Sequence, residues 1–413
     1  MRTLSILLIV PAVLLGLERY RRFSSRRRGA YLAFLGLASA AFWVGIAGEI
    51  RDNLRRVPEW DFLGFWLHAR TAVAGGNFYD PSAFHAQVGM LDLSRAFRAE
   101  IADTGFWYPP PSMFLFWPLG WFELHAALAL WYALHLAALA ACVPLLRRIF
   151  FPGGGSVELA ACATLVALAP GTLLTVQFAQ TNFVALLALL LFWGRRETAG
   201  GGAWAAVALF VKPFLAVLAL GPLLERRRRA LAGFLIAVAL LTLASIVAFG
   251  PRTCADYVLR GPLGVKPDWI YFERTNQSLL GWLLRLAQPD CSGAACVRYP
   301  PFVAAAALLG GVTLLQGIRL ARAGRGEWAL CLLLVAALLA YPVSQVFYSL
   351  LLVPVMLLFW RCRDRLPGGA PAVALGAGLV LALCAYDGGD ATVAAFGTTW
   401  AALALVAPRR ELL

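Results

Sequence analysis

Charge is scarce in this chain. Only 14% of its 413 residues are Asp, Glu, Lys or Arg, where a soluble globular domain carries about 25%. That shortage excludes a soluble enzyme with an ordinary polar shell. Lysine is nearly missing: Lys212 and Lys266 are the two in the chain, and every other one of the 36 basic residues is arginine. There are four histidines, and no Cys/His spacing resembles a zinc site. No Asp-x-Asp pair occurs, so the residues call for neither a metal nor any other cofactor.

What is present is grease. Hydrophobic residues make up 61% of the chain, and the mean hydropathy is +0.73. They fall into repeated runs near membrane-spanning length, which predicts an all-α polytopic membrane protein with about 10–12 crossings. The net charge of +14 is not spread over a soluble face, as nucleic-acid binding would need. Arginines instead cluster at the ends of apolar runs: residues 19–28, Arg147 and Arg148, Arg195 and Arg196, 226–229, 361–365, and Arg409 and Arg410. That is the positive-inside pattern, which orients helices and meets anionic headgroups. The charge reports topology, with membrane lipids as partners and no nucleic acid.

The pattern divides the chain. Residues 1–29 read as an extra N-terminal apolar helix, spanning or interfacial, with a basic linker. Residues 30–249 form a transmembrane core that includes a first outer loop, 50–111. A second outer loop covers 250–298, and the last helices cover 299–413. In the first loop Phe65, Leu67 and residues 72–74 suit short helices lying in the membrane interface. Cys291 and Cys296 lie close enough in sequence to close a small loop in an oxidising compartment.

Polar residues in such a chain are the candidates for function. Lys212 sits beside Pro213 inside an apolar run, where a charge at mid-depth costs about 2.5–3.5 kcal/mol or more. It is either a snorkelling lysine paired with a carbonyl, or a cation facing a cavity that holds a phosphate. Gln177, Gln180 and Asn182 break another apolar stretch, as polar glue between helices or as sugar-hydroxyl ligands. Asp61 is either a loop acid paired with Arg55, Arg56 or Arg70, or a base desolvated by Trp60 and Phe62. His68 and His85 read as surface residues of the same loop. Tyr108-Pro109-Pro110-Pro111 is a rigid entry to a helix.

In order along the chain, Trp60-Asp61-Phe62, Gly75-Gly76-Asn77-Phe78-Tyr79-Asp80, Tyr108-Pro109-Pro110, Ala179-Gln180-Thr181-Asn182, Lys212-Pro213 and Asn276-Gln277-Ser278 resemble glycosyltransferase family 87, over residues 30–360. Alanine stands at 179 where the family has glycine. The resemblance implies a C-type glycosyltransferase fold in the bacterial plasma membrane, with its site on the outer face. It implies a polyprenyl-phosphate sugar donor, mannose in the type activity, and a lipid or glycan acceptor. Asp61 maps onto the family's catalytic base. Lys212, with Arg274 and Lys266, would hold the donor phosphate; Gln180, Asn182, Tyr108, Asn276, Gln345 and Tyr348 would contact sugar or acceptor. A histidine found in many members near Ser344 is missing from the string 341–348. The competing readings are a C-type transferase with a different sugar, and a transporter or flippase of lipid-linked sugars, which predicts internal repeats with paired broken helices.

Overall fold

A computed structural model describes residues 2–56, 61–89, 105–260, 269–292, 294–366, 369–384 and 390–405. Among these, regular structure is helical throughout apart from one isolated bridge between Asn276 and Gln345. Helices dominate because lipid offers backbone amides no partners, so each segment must satisfy its own. Those of eight or more residues are, in chain order, α1 (Arg2–Arg19), α2 (Ser25–Arg55), α3 (Asp61–Val73), α4 (Pro81–Gly89), α5 (Leu124–Phe150), α6 (Ser156–Leu168), α7 (Pro170–Gln177), α8 (Asn182–Gly194) and α9 (Ala199–Val211). There follow α10 (Arg228–Phe249), α11 (Pro251–Arg260), α12 (Leu279–Ala287), α13 (Pro300–Arg322), α14 (Gly326–Ala340), α15 (Val353–Cys362), α16 (Ala370–Cys384) and α17 (Asp390–Leu405).

Four of these, α2, α5, α10 and α13, are long and apolar enough to cross a membrane, and the bent pair α6–α7 makes a fifth. The other apolar stretches, counted above toward 10–12 crossings, are divided into helices of 10–17 residues. Proline is the divider. Ala169 (ψ 119°), Lys212 (φ −143°, ψ 106°) and Tyr341 (ψ 122°) each sit extended before a proline, the conformation that proline imposes on its predecessor. α6 and α7 meet at 57° across the first of these breaks. After Lys212 the chain runs as a 3-10 turn, Pro213–Ala219, and beyond Pro342 a second one, Val346–Leu352, precedes α15.

α10 turns Leu235, Ile236, Leu240, Leu243 and Val247 outward, each more than half exposed; this is the face that meets lipid. Its other face packs on α9 through glycines. A Cβ on Gly202 would strike the Ala230 carbonyl, and one on Gly233 the Ala199 backbone. Such small-residue contacts let helix axes approach where no hydrophobic effect drives them together. Gly233→Val is expected to destabilise the protein by about 1–3 kcal/mol through overpacking. Thermal unfolding in detergent checks it, with Gly310→Val, at an open position, as the unaffected control.

The first loop, which the charge pattern puts on the outer side, is more buried than expected. α3 is packed into the protein rather than exposed along one face: Phe62, Leu63, Phe65, Trp66, Leu67 and His68 are all buried. Apolar residues occupy nearly every position, so the helix has no polar face to present and sinks against residues 113–121. His68 is thereby a core residue, its Nδ1 2.9 Å from the Phe78 carbonyl and its ring stacked on Phe84 at 4.2 Å. A second, small core gathers Ile270, Tyr271, Leu280, Leu284, Phe302 and Val343, and the disulfide Cys291–Cys296 closes beside it.

Candidate active site

Three broken segments and α3 converge on one point. Asp61 is the first residue of α3, and its Oδ2 accepts from Gln180 Nε2 at 2.5 Å. Its partner is therefore a glutamine 119 residues away, not a neighbouring arginine. Gln180 follows the end of α7, where Ala179 takes a left-handed φ of 49°. That conformation costs an L-residue about 1–2 kcal/mol, so the position favours glycine over the alanine that stands there. Trp131 Nε1 donates to the Ala179 carbonyl at 2.8 Å. Asn53, at the end of α2, donates to the Val176 and Gln177 carbonyls. Both hold the turn that aims Gln180.

The other end of Gln180 meets Lys212. Lys212 Nζ donates to Gln180 Oε1 at 2.9 Å and to the Tyr108 hydroxyl at 3.0 Å, with the Tyr348 hydroxyl at 3.5 Å. The amide can sit only one way round: its NH2 must face the carboxylate and its carbonyl the ammonium. Lys212 is 1% exposed, and it lies 4.6 Å from the Tyr348 ring centre and 5.3 Å from that of Tyr108, so π-faces help replace its hydration. It is not snorkelling. The break at Pro213 frees this segment from helical geometry and lets the side chain enter the cluster.

Burial is the largest influence on Asp61 and raises its pKa above the ordinary carboxylate value. The Gln180 hydrogen bond and the Lys212 charge pull it back, and the Glu273 carboxylate pushes it up again. Burial, then the Asp61 charge, raises Tyr108 and keeps it a neutral phenol. Glu273 comes from the segment between α11 and α12 and was not singled out from the sequence. Its only sequence signal is its place three residues before Asn276. Because it raises Asp61, Glu273→Gln is expected to shift the acid limb of the kcat/KM profile to lower pH. A limb that stays put would remove Glu273 from the site.

The structure thus brings Asp61, Gln180, Lys212, Tyr108 and Tyr348 together. Asn182 is buried one turn away, donating to Thr175 Oγ1 at 2.9 Å. Asn276 and Gln345 are joined through their backbones. The Asn276 side chain is spent on the Ile270, Tyr271 and Pro342 carbonyls and on the amides of Ser278 and Ser344. It fastens the second outer loop to the 341–348 turn and so sets where Tyr348 lies. Arg274 is exposed in that loop, and Lys266 lies outside the described residues. Asn77 Nδ2 donates to Asp256 at 2.6 Å, tying the two outer loops together. His135, below the cluster on α5, is buried against Trp131, with neither ring nitrogen hydrogen-bonded among the described residues.

The arrangement places an acid of raised pKa and a buried cation at the two ends of one amide, ringed by tyrosines, where broken helices meet. The sequence model for glycosyltransferase family 87 matches residues 106–354, well over half of the chain. The chain belongs to glycosyltransferase family 87. It is an all-α polytopic membrane glycosyltransferase, which sets aside the transporter class. Comparison with curated proteins and with solved structures gives no match. The matched segment carries Tyr108, Gln180, Lys212 and Tyr348; Asp61 precedes it and is tied to it through Gln180.

Proposed function

We propose that this family 87 protein moves a hexose, mannose as in the family's type activity, from a polyprenyl phosphate to a lipid or glycan acceptor. The site faces the outer side of a bacterial plasma membrane. The observation that carries the reading is the Asp61–Gln180–Lys212 chain of hydrogen bonds, since it sets a base and a phosphate-holding cation at a fixed separation. Asp61 takes the proton of an acceptor hydroxyl as that oxygen attacks the anomeric carbon. The bond from this carbon to the phosphate oxygen breaks on the opposite side, and polyprenyl phosphate leaves with the electron pair. A single displacement of this kind inverts the configuration. Lys212, assisted by the Tyr108 and Tyr348 hydroxyls, stabilises the charge that grows on the leaving oxygen. Arg274 and Lys266 add positive charge from the second outer loop.

Gln180 transmits each charge to the other. With Lys212 at its far end, its NH2 is a better donor to Asp61, which keeps the carboxylate ionised in spite of burial. The test is incubation of the purified protein with radiolabelled polyprenyl-phosphate mannose and a membrane lipid extract. Labelled, anomerically inverted product supports the reading. Product only with another polyprenyl-phosphate sugar replaces mannose, and absence of product with every such donor overturns the donor class.

A further inference from the structure

A second polar site lies at the opposite end of α8 from Gln180. α8 has 13 residues, which puts the two sites about 20 Å apart. There a pocket of about 300 Å³ opens between the ends of α5 and α8 and the start of α14, lined among others by Arg148, Arg195, Arg196, Glu327, Leu145 and Leu191. This is the face that the positive-inside pattern assigns to the cytoplasm. Glu327 is already committed: it accepts from Arg196 at 2.9 Å, from Trp193 Nε1 at 3.4 Å, and from Arg361. Arg148 and Arg195 are exposed at the rim, and neither side chain has an ion pair or hydrogen bond among the described residues. The C-terminal carbonyls of α5 and α8 moderate this charge without cancelling it, since a helix end carries about half an elementary charge. Leu145 and Leu191 are half-buried, which leaves an apolar flank beside the cations.

We propose that this pocket binds the phosphate of an anionic glycerophospholipid in the leaflet opposite the active site. Paired arginines suit a phosphodiester, which they meet as planar donors. The leucine flank suits the upper part of an acyl chain and distinguishes the site from one for a free anion. Basic pockets between membrane helices on this side hold anionic headgroups in this way. Neither the donor nor the acceptor of the transfer reaction is involved.

The experiment is native mass spectrometry of the full chain in detergent, titrated with phosphatidylglycerol or phosphatidylcholine. Wild-type protein is expected to bind one phosphatidylglycerol about 30-fold more tightly than phosphatidylcholine, from about two added arginine contacts. Arg148→Gln/Arg195→Gln should lose that preference, while Arg252→Gln, on α11 and away from the pocket, should keep it. Equal binding of the two lipids by wild type overturns the proposal, as does an unchanged preference in the double variant. Complete displacement of phosphatidylglycerol by millimolar inorganic phosphate would make the pocket a free-anion site and overturn the lipid assignment. If the double variant does not fold, the wild type still decides. Its preference must weaken as salt is raised, since rim charges are screened, and a salt-independent preference overturns the proposal.

Discussion

Asp61→Asn is expected to lower kcat by about 10²- to 10⁴-fold, the contribution of a positioned general base, while KM for the donor changes little. The substitution is nearly isosteric, and the asparagine carbonyl can still accept from Gln180 Nε2, so the cluster keeps its shape. What disappears is the ability to take a proton. As the proposed base Asp61 acts in its ionised form, so the wild-type rate is expected to rise with pH through its pKa. Burial and Glu273 place that limb above the ordinary carboxylate range. The variant should lose the limb altogether, leaving a flat residual rate on the acid side. Rates and pH profiles measured with the same labelled donor check both points. A full rate in Asp61→Asn would leave Asp61 as a structural partner of Gln180 and send the search for a base to Glu273.

Much of this was legible in the sequence because polar residues are so expensive in an apolar chain. Lys212 beside Pro213, Gln180 in a polar break of an apolar stretch, and Tyr108 before a proline run could each be singled out alone. The break at Lys212 and the one before Pro170 both follow from proline chemistry. The joining of these residues was not legible. Asp61 and Gln180 are separated by 119 positions and Lys212 and Tyr348 by 136, and no local pattern encodes such a closure. Residues singled out for polarity alone fared less evenly. Asn276 has the composition of a sugar ligand, yet its side chain is consumed by five backbone groups of the loops it joins. His68 has the composition of a loop residue, yet the apolar residues around it carry it into the core. Glu273 escaped notice because an acid in an outer loop is ordinary; only the fold brings its charge to Asp61.

The other large effect concerns Lys212. Lys212→Met keeps the unbranched stem and removes the charge. It is expected to cut kcat by about 10²- to 10³-fold, the range for losing one preorganised donor to a developing oxyanion. The melting temperature is expected to fall, because the Gln180 carbonyl loses its buried donor and the Asp61 carboxylate its nearby cation. The rate per folded molecule separates the catalytic role from a structural one: a lysine kept only to glue helices would leave that rate intact. A second readout carries a definite sign. Lys212 holds the Asp61 pKa down, so its loss should move the acid limb of the profile to higher pH, opposite to Glu273→Gln. Lys212→Arg should rescue poorly. A guanidinium is broader than an ammonium, and the space between Gln180 Oε1 and the two tyrosine hydroxyls is closed to within 3.5 Å of Nζ. Because Gln180 joins Asp61 to Lys212, the losses in the double variant Asp61→Asn/Lys212→Met should fall well short of multiplying, as for residues that act as one unit. Strictly multiplicative losses would mean that the base and the cation work independently, and the linking role of Gln180 would be withdrawn.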